Sequence, residues 1–391
     1  MDNNDFGQNY TYDRGTYYST PGWNDFTLDD ERQAKRRFSR FFLGIFLYIL
    51  ISNAAAIVIA TVLSLLLGEK YDALINSSWF ELTFNAVVMY AIALPIFYLI
   101  VKGMKKTVRV HRSMSFGEIF KLLLVSEAFM YVGNLVGQYI NLIVGSMFGL
   151  IPSNSTIDMV TESNIFVVFI VAVVLGPIAE ELIFRKLLMD RLGMYGDRVA
   201  IFVSAIAFAL FHGNFYQLFY AFLLGLVLSY AYSKTGNIWY PIVIHMAINF
   251  IGSIIPMLLA DGLVKLDELS QLMTVNEQMS EEMMAKFLDP SVLLASLYLP
   301  LNLAMVIAGT VIFFKQRKRV FVSDRCEICI PKERRKTVIF GNAGVILFLV
   351  LCGLTIIANF VLPVIEAFLA AASNQTPNIT PPPTTTPPTS I

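Results

Sequence analysis

The stretch "FFLGIFLYILISNAAAIVIATVLSLLLG", Phe41 to Gly68, contains no Asp, Glu, Lys, Arg or His. It exceeds the roughly 20 apolar residues that an α-helix needs to cross a bilayer. Further apolar runs follow at about 80–101, 117–149, 164–187, 197–213, 216–233, 238–259, 290–314 and 338–371, with bounds uncertain by several residues. The 391 residues are 56% hydrophobic and only 15% charged. A soluble domain is usually about a quarter charged, so the chain belongs to another class. Lipid offers no hydrogen bonds to a backbone, so runs of this length must close their own, as helices. The expected fold is all-α: a polytopic transmembrane helical bundle of about eight to nine spans.

Charge sets the orientation. The formal net charge is zero, which gives nucleic acid no global attraction. Lys and Arg are nonetheless segregated. "ERQAKRRFSR" (31–40), "KGMKKTVRVHR" (102–112), "RKLLMDRLGMYGDR" (185–198) and "KQRKRVFVSDRCEICIPKERRK" (315–336) are the basic segments. They all fall on one side if the N-terminus is cytoplasmic. The opposite loops, "EKYD" near 70, "STIDMVTES" near 157 and the acidic 261–289 stretch, are poor in Lys and Arg. Nine spans would put the C-terminus outside. No cleavable signal peptide is expected, because the first apolar run is too long and too late for one.

The organisation read from these shifts is as follows. Residues 1–40 form a disordered cytoplasmic tail ending in a basic collar, and 41–163 carry the N-terminal spans. Residues 164–259 form the segment rich in buried polar groups. Residues 260–289 are an acidic loop, and 290–372 hold the last spans around the basic loop 315–336. The Pro/Thr-rich 373–391 is an extended tail or plain spacer. Gly133 and Gly137 in the long third run form a GxxxG pattern and predict a close helix–helix contact within the bundle. Three cysteines make no disulfide framework. Cys326 and Cys329 read as loop thiols, since zinc would need two further ligands and no His lies near. Cys352 reads as a small core residue.

An ionisable residue inside a span costs about 2.5–3.5 kcal/mol on insertion scales, so each needs a reason. They concentrate between 180 and 249. Glu181 and Arg185 are four apart, share a helix face and can pair, whereas Glu180 points about 100° away and has no local partner. "FALFH" brings His212 four residues after Phe208. "HMAIN" puts His245 and Asn249 on one face of a strongly apolar run. The third histidine, His111, lies in a basic loop and reads as surface. Glu127, Asn134, Gln138 and Glu366 read as interior hydrogen-bonding groups or interface positions. Taken singly, each of the clustered groups has a structural explanation. Together they must turn away from lipid, and if they converge they make a wet polar cavity in an apolar wall.

A carboxylate and an imidazole can activate one water, the carboxylate as general base. An imidazole and an amide on one face can donate to a developing oxyanion. Glu180 with His212 suits the first task, and His245 with Asn249 the second. The target would be a carbonyl, above all a peptide bond delivered within the membrane. No Ser or Cys is recommended as nucleophile: Ser204 and Ser229 have no base beside them in the sequence. A zinc site from Glu180 or Glu181 with His212 and His245 uses the same side chains, although HExxH is absent. A proton-relaying transporter is a further alternative, but no internal duplication supports it.

"EELIFR" (180–185), "FALFH" (208–212) and "HMAIN" (245–249) resemble, in order and on separate runs, the EExxxR, FxxxH and HxxxN motifs of the CPBP family, which includes the type II CAAX prenyl endopeptidases and the bacterial Abi-type membrane proteins. The resemblance covers roughly 164–255. It implies an intramembrane endopeptidase in which Glu180 and His212 activate water, His245 and Asn249 hold the oxyanion, and Glu181 and Arg185 support them. It leaves open a metal-free or a zinc-dependent reaction, the metal-free one being favoured here. The implied partners are membrane lipids and a membrane-associated protein or peptide substrate. A non-proteolytic scaffold or bacteriocin-immunity protein on the same fold is the alternative. The periphery points to a bacterial plasma membrane.

Overall fold

A computed structural model describes residues 26–147, 162–275, 280–318, 322 and 326–372. The Pro/Thr-rich 373–391 and the stretch 1–25 lie outside the described residues. The described chain is helical and contains no strand. Among the described residues, eight helices are long and apolar enough to cross a membrane. Ordered along the chain, the elements are α1 (Leu28–Leu67), α2 (Phe80–Val101), α3 (Phe116–Met147), α4 (Ile165–Tyr195), α5 (Asp197–Phe211), α6 (Phe215–Thr235), α7 (Trp239–Leu258), α8 (Ala260–Val275), α9 (Glu281–Phe287), α10 (Pro290–Gln316), α11 (Lys332–Phe340) and α12 (Ala343–Ala372). The eight are α1 to α4, α6, α7, α10 and α12. The molecule is an integral multi-pass membrane protein.

Several expectations shift. The basic collar 31–40 is not tail but the first turns of α1. Thr27 caps that helix, its hydroxyl accepting from the Asp30 amide while the Asp30 carboxylate takes the Thr27 amide, with Asp29, Asp30 and Glu31 at the positive end of the helix dipole. The run 185–198 is no loop: α4 continues to Tyr195 and buries Arg191 completely. Arg191 survives there because its guanidinium donates to the carbonyls of Val101 and Leu187. The acidic 260–289 stretch is largely helical, as α8 and α9. Cys326 and Cys329 are joined in a disulfide rather than free.

The expected fifth span, 197–213, is α5. Its 15 residues reach only about 22 Å, short of the roughly 30 Å hydrocarbon core. Glycines bound it. Gly196 has φ of 105° and Gly213 φ of 67°, conformations that open at little cost only to a residue without Cβ. α5 packs instead against α4 and α6, deep in the bundle.

The four basic segments meet at one end of the molecule. Arg109 pairs with Asp190 and Asp197, Arg37 donates to the carbonyls of Lys105 and Arg191, Lys105 reaches Glu327, and Arg334 reaches Glu31. The main apolar core lies just inside this end, built from Phe38, Phe41 and Tyr48 of α1, Phe97 of α2, Phe184 and Leu188 of α4, Phe208 of α5 and Phe348 of α12. The GxxxG pair serves a contact within the bundle: α3 meets α6, and a Cβ on Gly137 would lie 2.9 Å from the Phe215 carbonyl oxygen. Because Gly133 and Gly137 take the packed face, Asn134 and Gln138 fall on the exposed one, contrary to expectation. Glu127 is interior and accepts from Asn302 of α10 at 3.1 Å. The side chain of Glu366 lies outside the described set.

Backbone bonding widens to π-helix in four places: Val87–Ala93, Phe169–Leu175, Leu182–Met189 and Phe250–Ile254. The first, second and fourth end two residues before Pro95, Pro177 and Pro256. A proline lacks the N–H that the carbonyl four residues earlier would accept, and i→i+5 bonding is one way for neighbouring groups to re-pair. The two π-segments of α4 flank Glu180 and Glu181 directly.

Candidate active site

Glu180 and Glu181 lie where α4 is α-helical between those π-segments, immediately after Pro177. Adjacent positions point about 100° apart, and their surroundings differ accordingly. Glu181 is fully buried, and its Oε1 lies 3.1 Å from Arg185 Nη1, itself fully buried. Glu180 keeps 20% of its side chain accessible. Of the two carboxylates, Glu180 is therefore the one that opens onto space.

His245 comes from α7 and stands between them. Its Nδ1 is 2.9 Å from Glu181 Oε1 and its Nε2 is 3.6 Å from Glu180 Oε2. A carboxylate only accepts, so Nδ1 carries the hydrogen and gives it to Glu181. Glu181 thus orients the ring and aims Nε2 at Glu180. Asn249, one turn on, donates from Nδ2 to the Ala172 carbonyl of α4 at 2.9 Å, which ties α7 to the π-segment ahead of the carboxylates and leaves one amide hydrogen uncommitted.

His212 closes α5. Its Nδ1 lies 2.8 Å from the Phe208 carbonyl, which can only accept, so Nδ1 is the donor and Nε2 presents a lone pair. The next residue, Gly213, has its carbonyl held by Asn359 Nδ2 of α12 at 3.0 Å. The short α5 brings His212 into the cluster rather than to an outer surface. It shares the Phe208 ring with His245 and Arg185.

Phe208 is the hub. The Arg185 guanidinium sits 4.6 Å above its ring, and both imidazoles meet it edge-on, His212 at 4.9 Å and His245 at 5.6 Å. One aromatic side chain therefore spaces the cation and the two histidines, while excluding water from the Arg185 side. Glu181 Oε2 and Arg185 Nε are buried with no hydrogen-bond partner among the described residues.

The structure thus gathers Glu180, Glu181, Arg185, His212 and His245 from three helices, with Asn249 one turn beyond His245. Among the described residues no three His, Cys, Asp or Glu side chains converge as a metal set. His245 Nδ1 is already committed to Glu181. Ser204 and Ser229 are structural: Ser229 donates to Ser204, which donates to the Phe184 carbonyl. His111 is exposed. A residue that sequence reasoning passed over comes near the carboxylates: the Tyr90 hydroxyl of α2 would lie 3.4 Å from a Cβ on Gly176, one turn before Glu180. A tyrosine in an apolar run carries no periodic signal that sets it apart from a core aromatic.

Residues 162–251 match the family described as type II CAAX prenyl endopeptidase, Rce1-like. Over 124 residues the chain is 31% identical to the membrane-embedded CAAX protease MroQ of Staphylococcus aureus (strain USA300), covering 30% of this chain and 50% of that protein. Over 183 residues it is 27% identical to CAAX prenyl protease 2 of Arabidopsis thaliana, covering 37% of this chain and 56% of that protein. It is 31% identical over 84 residues to the putative membrane peptidase YdiL of Bacillus subtilis (strain 168), covering 20% of this chain and 33% of that protein. The chain thus spans between a third and little more than half of these relatives. No solved structure matches it. The matched region contains all six clustered polar side chains and the three motifs that carry them, and over residues 162–251 the chain is similar to the Rce1-like type II CAAX prenyl endopeptidases.

Proposed function

We propose that the protein is an intramembrane endopeptidase that hydrolyses a peptide bond of a membrane-associated protein or peptide. The observation that carries this reading is the asymmetry of the two carboxylates. Glu181 is sealed against Arg185 and His245, whereas Glu180 is accessible and has no fixed hydrogen-bond partner among the described residues. A general base needs that freedom.

In this reading Glu180 takes a proton from water and the oxygen attacks the scissile carbonyl carbon. His212, its Nδ1 hydrogen held by Phe208, orients the same water through the Nε2 lone pair. His245 and the uncommitted amide hydrogen of Asn249 meet the oxyanion, which requires that His245 Nε2 carry a hydrogen at that stage. Collapse of the tetrahedral intermediate breaks the C–N bond, and the proton on Glu180 passes to the leaving amine. Glu181 and Arg185 hold His245 and Phe208 in place. The basic end faces the cytoplasm, with the Glu180 cluster beneath the headgroups of that leaflet.

The test uses the full chain in lipid vesicles and an internally quenched peptide with a prenylated CAAX terminus, beside the unprenylated peptide. The prenylated probe follows from the relatives' names. The wild-type chain cleaves at least one of them, E180Q loses the activity by about 10²-fold or more, and a chelator leaves it unchanged. Cleavage by E180Q at the wild-type rate refutes the assignment. A cellular role kept intact by E180Q identifies a non-proteolytic scaffold instead.

A further inference from the structure

Along α1 the charges stop at Arg40, and the helix beyond it carries no Asp, Glu, Lys, Arg or His. Lipid headgroups meet a spanning helix at such a switch. At that level the structure holds an open cavity of about 410 Å³, lined by Lys35, Arg36, Ser39, Arg40 and Leu43 of α1 and by Asn342 just ahead of α12. Ligand sites typically enclose about 300–1,000 Å³. Three of these lining residues are cations, and none is an acid.

The cations here are less committed than others at the same end. Arg37, Lys105, Arg109 and Arg334 all give hydrogens to acceptors within the fold. Arg36 is exposed and has no hydrogen-bond or ion-pair partner among the described residues. Arg40 is half spent. Its Nε and Nη2 both go to the Ile100 carbonyl, at 3.2 and 2.8 Å, which fixes the guanidinium and leaves Nη1 uncommitted. Lys35 gives one ammonium hydrogen to Glu31 at 2.8 Å, and Glu31 is shared with Arg334 at 2.7 Å, so Lys35 keeps two. The opposite wall is already satisfied. Ser39 Oγ accepts the Gly344 amide at 2.9 Å, and Asn342 donates to the Val338 and Ile339 carbonyls while accepting the Val345 amide. The cavity therefore offers charged donors to an acceptor from outside the fold.

Below the cations the same face of α1 turns apolar. Arg36, Arg40, Leu43, Leu47 and Leu50 recur at spacings of four and three, so they lie on one stripe of the helix. Leu43 and Leu50 are 37% and 41% exposed, and Leu47 is half-buried. A free phosphate would use only the cations, whereas a lipid would use the cations and the leucines together. We infer that this cavity is a binding site for an anionic phospholipid. Arg36 and Nη1 of Arg40 take the phosphate oxygens, Lys35 adds charge, and an acyl chain runs down Leu43, Leu47 and Leu50. The inference does not depend on the hydrolytic reading.

The test is binding of a fluorescent phosphatidylglycerol to the full chain in neutral detergent micelles, followed by anisotropy. Unlabelled phosphatidylglycerol, phosphatidylcholine and water-soluble glycerol 3-phosphate serve as competitors. The expected result is saturable binding that phosphatidylglycerol displaces and the other two do not. R36Q should weaken it about fivefold and R36E further, the usual effect of one cation at an anionic lipid surface. K106Q, which removes an exposed cation outside the cavity, should stay within about twofold of wild type. The melting temperature of R36Q should match wild type, because Arg36 has no partner to lose. An equal loss in K106Q overturns the inference, since it marks general surface charge. Displacement by phosphatidylcholine overturns it as well, and displacement by glycerol 3-phosphate identifies a site for soluble phosphate instead.

Discussion

Arg185→Met is the sharpest probe of how the cluster is held. Arg185 has no exposed side-chain area and three attachments: Glu181 at 3.1 Å, the Phe208 face at 4.6 Å and the Gly225 carbonyl at 3.4 Å. Methionine fills much of the stem volume, so the loss is mainly electrostatic. Removing one partner of a buried pair typically costs about 3–5 kcal/mol, because the other charge is left uncompensated. The desolvated stack on Phe208 is worth about 2 kcal/mol by itself, part of which is already counted in that range. R185M should therefore lose about 3–5 kcal/mol, and R185K, which keeps the charge but not the planar stack, about 1–2 kcal/mol. E181Q strands the opposite charge and should cost a similar amount. The double variant E181Q/R185M strands neither, so the two losses should fall short of adding by at least about 2 kcal/mol. The assay is equilibrium unfolding in mixed micelles by denaturing detergent, followed by tryptophan fluorescence. A coupling below about 0.5 kcal/mol would mean that Glu181 and Arg185 are independent, and the account of His245 orientation through Glu181 would fall with it.

Other outcomes are equally specific. Gly137→Ala puts a Cβ 2.9 Å from the Phe215 carbonyl oxygen and should cost about 1–3 kcal/mol in the same unfolding assay, whereas Gly252→Ala, with nothing within 4 Å, should be nearly neutral on packing grounds. Maleimide labelling of the unfolded chain should find one thiol, Cys352, without reductant and three after reduction; three from the outset would refute the Cys326–Cys329 bond. Lys265 lies 2.8 Å from both Asp261 and Asp289, which tie α8 to the start of α10. Hydrogen bonds from Lys265 pull Asp289 below the usual carboxylate range and Asp261 down as well, and those to Asp261 and then Asp289 push the Lys265 ammonium up. The depressed carboxylates stabilise the contact above about pH 4 and lose that contribution as pH falls through their lowered values. The raised ammonium stabilises it below about pH 10 and loses that as pH climbs through its raised value. A fluorophore pair across α8 and α10 should thus hold its distance from about pH 5 to 9 and separate in strong acid; separation near neutral pH would contradict the linkage.

Much of the fold was legible because lipid is a demanding solvent. It forces long uncharged runs to be helices, and it makes each intramembrane carboxylate or imidazole conspicuous. The Glu181–Arg185 pair followed from helical spacing alone, and Gly133 and Gly137 from the need for close approach. What stayed hidden was whatever depends on where one helix meets another. Hydropathy puts 197–213 among the crossings, because an apolar run buried in protein looks like one buried in lipid, and only its shortness, about 17 residues, points to a short, tilted or sunken segment. The spacing of His245 and Asn249 showed a shared face, but not that His245 would turn to Glu181, 64 residues earlier in the chain. The basic stretch 185–198 gives no sign that Arg191 is buried, because the carbonyls of Val101 and Leu187 that satisfy it are brought to it by folding.

The π-segments give the carboxylate helix an unusual tolerance. A π-turn accommodates one residue more than an α-turn while the flanking parts stay in phase. Trimming a single residue from Phe169–Leu175 should let that stretch revert to α-helical bonding, with Glu180 and Glu181 keeping their bearings. The same excision in the regular helix Phe215–Thr235 would swing everything beyond it by about 100°. Homologues that differ by one residue just ahead of the carboxylates are therefore expected to place Glu180 and Glu181 alike, and the length of that span can drift in evolution without turning them.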